Sequence, residues 1–160
     1  MIPEAAETHA AQLEQDRAAI AELLDARFKE YSEHVVADPD GTRHLTMYMP
    51  WSGGGIRGKE LATVRLSRKI DDHGSSMTDL NFSARHAWDS SARVVVVDGQ
   101  ARIQRTKRQD GKVVLDTSRH SAEYSTAQMW RENLENATVE KPGVAKRAVL
   151  RLLGRLSLRG

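Results

Sequence analysis

Apolar side chains recur along this chain with two periods, and each period predicts a different kind of element. Over residues 5–36, a turn of 100° per residue places Ala6, Ala10, Leu13, Ile20, Leu24, Phe28, Tyr31 and Val35 on one face. Glu7, Glu14, Glu22, Asp25, Lys29 and Glu33 fall elsewhere, so one long amphipathic helix is expected. A strict heptad would put Arg17, Arg27 and His34 on the seam, which points to docking on a globular core rather than a coiled coil. Arg17 stands out among Leu13, Ile20 and Leu24. It is read first as a snorkelling side chain where the helix overhangs its domain, and second as the partner of a carboxylate.

Asp38-Pro39-Asp40-Gly41 carries turn chemistry, and beyond it the period drops to two. Leu45, Met47, Met49 and Trp51 alternate with Thr46, Tyr48 and Pro50, as in a half-buried strand. Residues 52–58 form a glycine-rich loop. Residues 60–70 fit two patterns: Ala62, Val64 and Leu66 alternate like a strand, while Ala62, Leu66 and Ile70 share a helical face. Residues 77–88 are equally two-sided, with Leu80, Phe82 and Ala84 leaning towards strand. The clearest β signal is Arg93–Val97, Gln100–Lys107 and Lys112–Ser118, joined by Asp98-Gly99 and Asp110-Gly111. Asp-Gly suits tight type I′ hairpins because both central residues need positive φ. Ser125 and Gln128 suggest a capping box for a helix with Ala127, Trp130, Leu134 and Ala137 on one side, and Pro142-Gly143 breaks it.

The last helical pattern runs from Val144 to about Leu156. Ala145, Ala148, Val149, Leu152, Leu153 and Leu156 occupy one side, and Arg147, Arg151 and Arg155 the other. Gly154 costs such a helix about 1 kcal/mol relative to Ala, so it needs a surface on which to form. The expected fold is α+β: a long N-terminal helix on a mainly antiparallel sheet, a β-meander, with two shorter C-terminal helices. Residues 1–142 are read as a single domain and 143–160 as a basic helix docked on that domain or on a partner.

Composition adds limits. With 160 residues, 39% hydrophobic and 29% charged, the chain is long enough for one ordinary core. It has no cysteine, which excludes disulfides, thiolate zinc sites and cysteine nucleophiles. No apolar run reaches the ~20 residues of a membrane span, and Met1-Ile2-Pro3-Glu4 is unlike a signal peptide. A cytoplasmic location, or one within a macromolecular assembly, is expected by default. The net charge of +2 hides a gradient. Residues 1–40 carry ten acids against Arg17, Arg27 and Lys29, whereas 141–160 carry six Lys/Arg and no acid. Such asymmetry implies either pairing of the two ends or a separate partner for each.

Candidate chemistry is sparse. Gly53-Gly54-Gly55-Ile56-Arg57-Gly58-Lys59 matches G-x-x-x-x-G-K, and Val94-Val95-Val96-Val97-Asp98 looks like an apolar strand ending in a magnesium-binding Asp. Together they resemble the nucleotide motifs of P-loop NTPases, which would give Gly53, Gly55, Gly58 and Lys59 a phosphate-binding role. Three departures oppose this. Glu60 replaces the Ser/Thr that would ligate Mg²⁺, Gly99 makes Asp98 a hairpin residue, and hairpin-linked strands cannot build the parallel sheet of that family. The six histidines lack metal-ligand spacing, and Asp71-Asp72-His73 reads as a solvated turn. A serine triad could assemble from distant positions, but no G-x-S-x-G turn is present. No catalytic residue, metal or cofactor is therefore assigned, and an enzyme is the less favoured reading; its pocket would lie beside Trp51, Trp88 or Trp130.

The leading expectation is a non-catalytic interaction or assembly subunit, such as a structural component of a virion, self-associating or binding another protein. Val149, Leu152, Leu153 and Leu156, with Arg147, Arg151 and Arg155, are its partner-binding residues. A nucleic-acid-binding module using the terminal helix and the basic meander (Arg93, Arg102, Arg105, Lys107, Arg108, Lys112 and Arg119) is the alternative. The meander has no Phe, Tyr or Trp to serve as a stacking platform. A degenerate P-loop-like binder comes third, and peripheral membrane contact is less favoured.

Overall fold

The computed structural model describes residues 3–51, 60–86, 89–118 and 122–140. The expected helix at 144–156 lies outside them. Helix α1 (Pro3–Glu30) opens the fold and is followed by a 3-10 turn, Ser32–His34. Seven strands follow in chain order: β1 (Val36–Ala37), β2 (Arg43–Trp51), β3 (Glu60–Ile70), β4 (Ser76–Ala84), β5 (Ser90–Val97), β6 (Gln100–Gln109) and β7 (Lys112–Leu115). Helix α2 (Glu123–Asn136) comes last. The strands form one sheet in the order β1 to β7, and every neighbouring pair is antiparallel. The α+β reading and the antiparallel meander are present; the described residues contain two helices.

The first helix is shorter than its apolar period. At Tyr31 the backbone leaves the α region (φ −105°, ψ 31°), and Val35 is already extended. The reason is tertiary: Val36 must pair with His44, so the chain turns before the helical pattern runs out. The two ambiguous segments, 60–70 and 77–88, supply strands β3 and β4. Each has an antiparallel neighbour on both sides, so ladder hydrogen bonds decide what side-chain period left open. The Asp-Gly hairpins form as expected, with φ of 52° and 77° at Asp98 and Gly99, and 51° and 76° at Asp110 and Gly111.

Both helices cover one face of the sheet. Ile20, Leu24 and Phe28 of α1 and Ala127, Trp130 and Leu134 of α2 meet Leu45, Met47, Val64, Leu66, Leu80, Phe82, Val94 and Ile103 from the strands. The expected capping box is not used. Helix α2 starts after Ala122, which makes no side-chain cap bond, and the Ser125 hydroxyl donates back to the Ala122 carbonyl (3.1 Å). Glu123, the first residue of the helix, bonds Arg17 of α1 instead.

Helix α2 runs from β6 to β2. Its first residue, Glu123, accepts a hydrogen bond from the Ile103 backbone N–H (3.2 Å) on β6. Just past its last turn, Thr138 exchanges two backbone bonds with Tyr48 of β2 (2.6 and 2.9 Å). This bridge sets the last described residues, Thr138 to Glu140, beside β2.

Candidate interaction surfaces

Alternation along the strands assigns each side chain to a face. The face away from the helices carries His44, Thr46, Arg65, Ser67, Lys69, Asp79, Asn81, Ser91, Arg93, Arg102, Gln104 and Arg108. Asp79 is the only acid in that group, and Arg93 neutralises it with Nε at 2.7 Å and a second nitrogen at 3.4 Å. The pair holds the Arg93 guanidinium above its ordinary pKa, mainly through the Asp79 hydrogen bond. Across whole elements, the seven strands hold ten Lys/Arg and two acids, net +8. The two helices hold four Lys/Arg and ten acids, net −6. Charge is thus segregated by layer, a pattern that the gradient along the chain only hinted at.

The helix layer is locked by charged contacts to its surroundings. Arg17 bridges to Glu123 (2.7 Å) and to the more exposed Glu14 (2.6 Å), and its pKa is raised chiefly by the Glu123 hydrogen bond. The snorkelling reading of Arg17 is therefore corrected: it is an inter-helix ion pair. Glu123 in turn serves two masters, since it also satisfies Ile103. Asp16, 1% exposed, is a buried carboxylate of this layer and accepts from Arg131 (3.0 Å) and Gln12 (3.1 Å). Sequence reading passed over Asp16 because it sits one step from the apolar line, where the arrival of α2 buries it. Near the end of α1, Arg68 of β3 bonds Thr78, bridges to Asp25 (2.8 Å) and lies 4.8 Å above the Phe28 ring. Arg43, its cross-strand neighbour, approaches the same ring at 5.6 Å. Two like charges stand side by side here because an aromatic face and a carboxylate offset their repulsion.

A Ser–His–Asp arrangement does assemble. His44 contacts Ser67 Oγ through Nδ1 (2.8 Å) and Asp38 Oδ2 through Nε2 (2.6 Å). Nucleophile, base and orienting carboxylate are within reach, but acyl transfer also needs donors for the oxyanion. Ser67 lies mid-strand between β2 and β4, where neighbouring backbone N–H groups are spent on the ladder. The arrangement is a polar brace that ties the β1–β2 turn to β3. Asp40 in that turn accepts the Thr42 N–H, and this holds its carboxyl below the ordinary range.

The residues singled out earlier fall as follows. Val149, Leu152, Leu153, Leu156, Arg147, Arg151 and Arg155 lie outside the described residues, as do Gly53, Gly55, Gly58 and Lys59. The strands flanking the latter, β2 and β3, are antiparallel, and Glu60 opens β3. A P-loop needs a helix at that point, to present N–H groups to phosphate. Trp130 is a core residue at 0% exposure, Trp51 packs edge-on against Phe82 (5.8 Å), and Trp88 lies outside the described residues. Asp71 caps its own turn by accepting from His73 and Ser75. Among the described residues, no three His, Asp or Glu gather as a metal would require. No helix there is long and apolar enough to cross a membrane. Neither the family models, nor the curated proteins, nor the solved structures compared with this chain include a match to it.

Proposed function

We propose that this protein is a non-catalytic interaction module that works as a subunit of a larger assembly. The observation that supports the reading is the separation of charge into a basic strand layer and an acidic helix layer. Surfaces of opposite sign on one molecule steer copies or partners into defined orientations. The sequence of the terminal segment, whose helical pattern separates Arg147, Arg151 and Arg155 from Val149, Leu152, Leu153 and Leu156, supplies a second means of attachment. Light scattering on the full chain tests this. A mass above 17.8 kDa is expected at low salt, and replacing Val149, Leu152, Leu153 and Leu156 together by Ser should return it to the monomer value. A monomer under all conditions, in native extract as well as pure, would sink the proposal.

Nucleic-acid binding is the second reading, supported by the outward basic sheet face. Its phosphate contacts would release counterions, so affinity should fall steeply with salt. Fluorescence anisotropy with single- and double-stranded DNA and RNA at low ionic strength decides it, and no binding removes it.

A further inference from the structure

The outer sheet face is not flat throughout. Strand β6 pairs with β5 only as far as Arg105 and with β7 from Thr106 onward. Where the partners change, the β6–β7 arm leaves a cleft of about 100 Å³ against β4 and β5. Asp79, Asn81, Ser91, Thr106 and Arg108 contribute to its lining. Thr106 is 7% exposed even though it lies on the solvent side of the sheet. Its hydroxyl has no protein partner among the described residues, and Thr106 belongs to the lining of the cleft. Asn81, Ser91 and Arg108 likewise spend their side chains on no other described group.

We propose that this cleft binds a phosphate-sized terminal oxyanion, either inorganic phosphate or a phosphomonoester. The polar part of the lining, which lies beside Leu80 and Val113, points to that class. A guanidinium, two hydroxyls and an amide supply donors of the kind that recognise anionic oxygens. The one carboxylate, Asp79, is already neutralised by Arg93, so it does not repel an anion as a bare charge would. The cleft, of about 100 Å³, has room for a tetrahedral head group. Thr106 sits at the buried side and Arg108 on the β6–β7 arm, so a bound anion would bridge the arm to the sheet. This proposal is independent of the assembly reading, since it needs neither the terminal segment nor a second copy.

The test is an NMR titration of the full-length protein with sodium phosphate, adenosine monophosphate and, as a weaker-matching control, acetate. Amide shifts that saturate by about 50 mM phosphate and centre on Asn81, Ser91, Thr106 and Arg108 are expected, consistent with millimolar affinity. Saturation by phosphate alone would assign free phosphate as the source; saturation by both would assign phosphomonoesters as well. Arg108→Gln should weaken binding about tenfold, and Thr106→Val, nearly the same shape without the hydroxyl, by several-fold. Arg102→Gln, which removes the same charge from the same face away from the cleft, should change it little. The proposal is overturned by no saturable shift, by acetate acting as well as phosphate, or by Arg102→Gln weakening binding as much as Arg108→Gln.

Discussion

At the scale of single residues, the useful distinction is between the two partners of Arg17. Glu14 is 73% exposed and sits one turn away on the same helix, so its pair is worth no more than about 0–1 kcal/mol. Glu123 is less than one-third exposed and receives both Arg17 and the Ile103 N–H. Losing it leaves a backbone donor on β6 and a half-buried guanidinium without their acceptor. Glu123→Ala is therefore expected to cost about 1–3 kcal/mol in urea denaturation, and Glu14→Ala much less. Equal costs would mean that Glu123 is an ordinary surface acid. Asp16, Thr126 and Trp130 tell a related story: each has a buried side-chain atom with no hydrogen-bond partner among the described residues, the first on α1 and the other two on α2. Helix periodicity reads apolar faces and so passes over polar groups that a second helix buries.

At the scale of elements, the hairpins were legible because their cause is local. Asp98-Gly99 and Asp110-Gly111 need positive φ whatever surrounds them, and glycine supplies it at no steric cost. Nothing lies within 4 Å of a Cβ placed on Gly99 or Gly111, so Gly→Ala at either site tests backbone conformation alone. Each is expected to cost about 1–2 kcal/mol. Gly111→Ala should also lower hydrogen-exchange protection in β7, a strand of four residues held by one neighbour. Unchanged stability in both variants would show that the turns relax to another type. Strands β3 and β4 were not legible in the same way. Alternation and helical spacing coincide over short apolar runs, and only the ladders on both sides separate them. The end of α1 is a third case: Tyr31 and Val35 continue the helical period, but pairing of Val36 with His44 ends the helix.

For the whole molecule, the question is what a layered charge does. The outer sheet face carries Arg65, Lys69, Arg93, Arg102 and Arg108 against Asp79 alone, net +4, and the helices carry net −6, so the two faces differ in sign, which the small overall charge conceals. If layer charge drives association, the mass in solution should fall as ionic strength rises past ~0.15 M, where the Debye length is about 8 Å. If the apolar side of the terminal segment drives it, salt should matter little and the four-residue Ser variant should matter most. The two outcomes separate the halves of the assembly proposal. Apolar burial is expected to supply most of the energy, because exposed charge pairs contribute little.

By itself, the sequence determined the α+β class, the long first helix, the two I′ hairpins with the strands they join, and the alternating core of β2. All rest on local propensity and on side-chain period, which each segment carries within itself. Tertiary structure decided the strand identity of 60–70 and 76–84, the partner of Arg17 and the start of α2. It also decided the burial of Asp16 and the cleft under the β6–β7 arm. Each of these depends on a second segment distant in the chain: Glu123 reaches Arg17 across 106 positions, and Arg131 reaches Asp16 across 115. Such contacts leave no periodic trace, because a residue's neighbours in space are set by how the layers close.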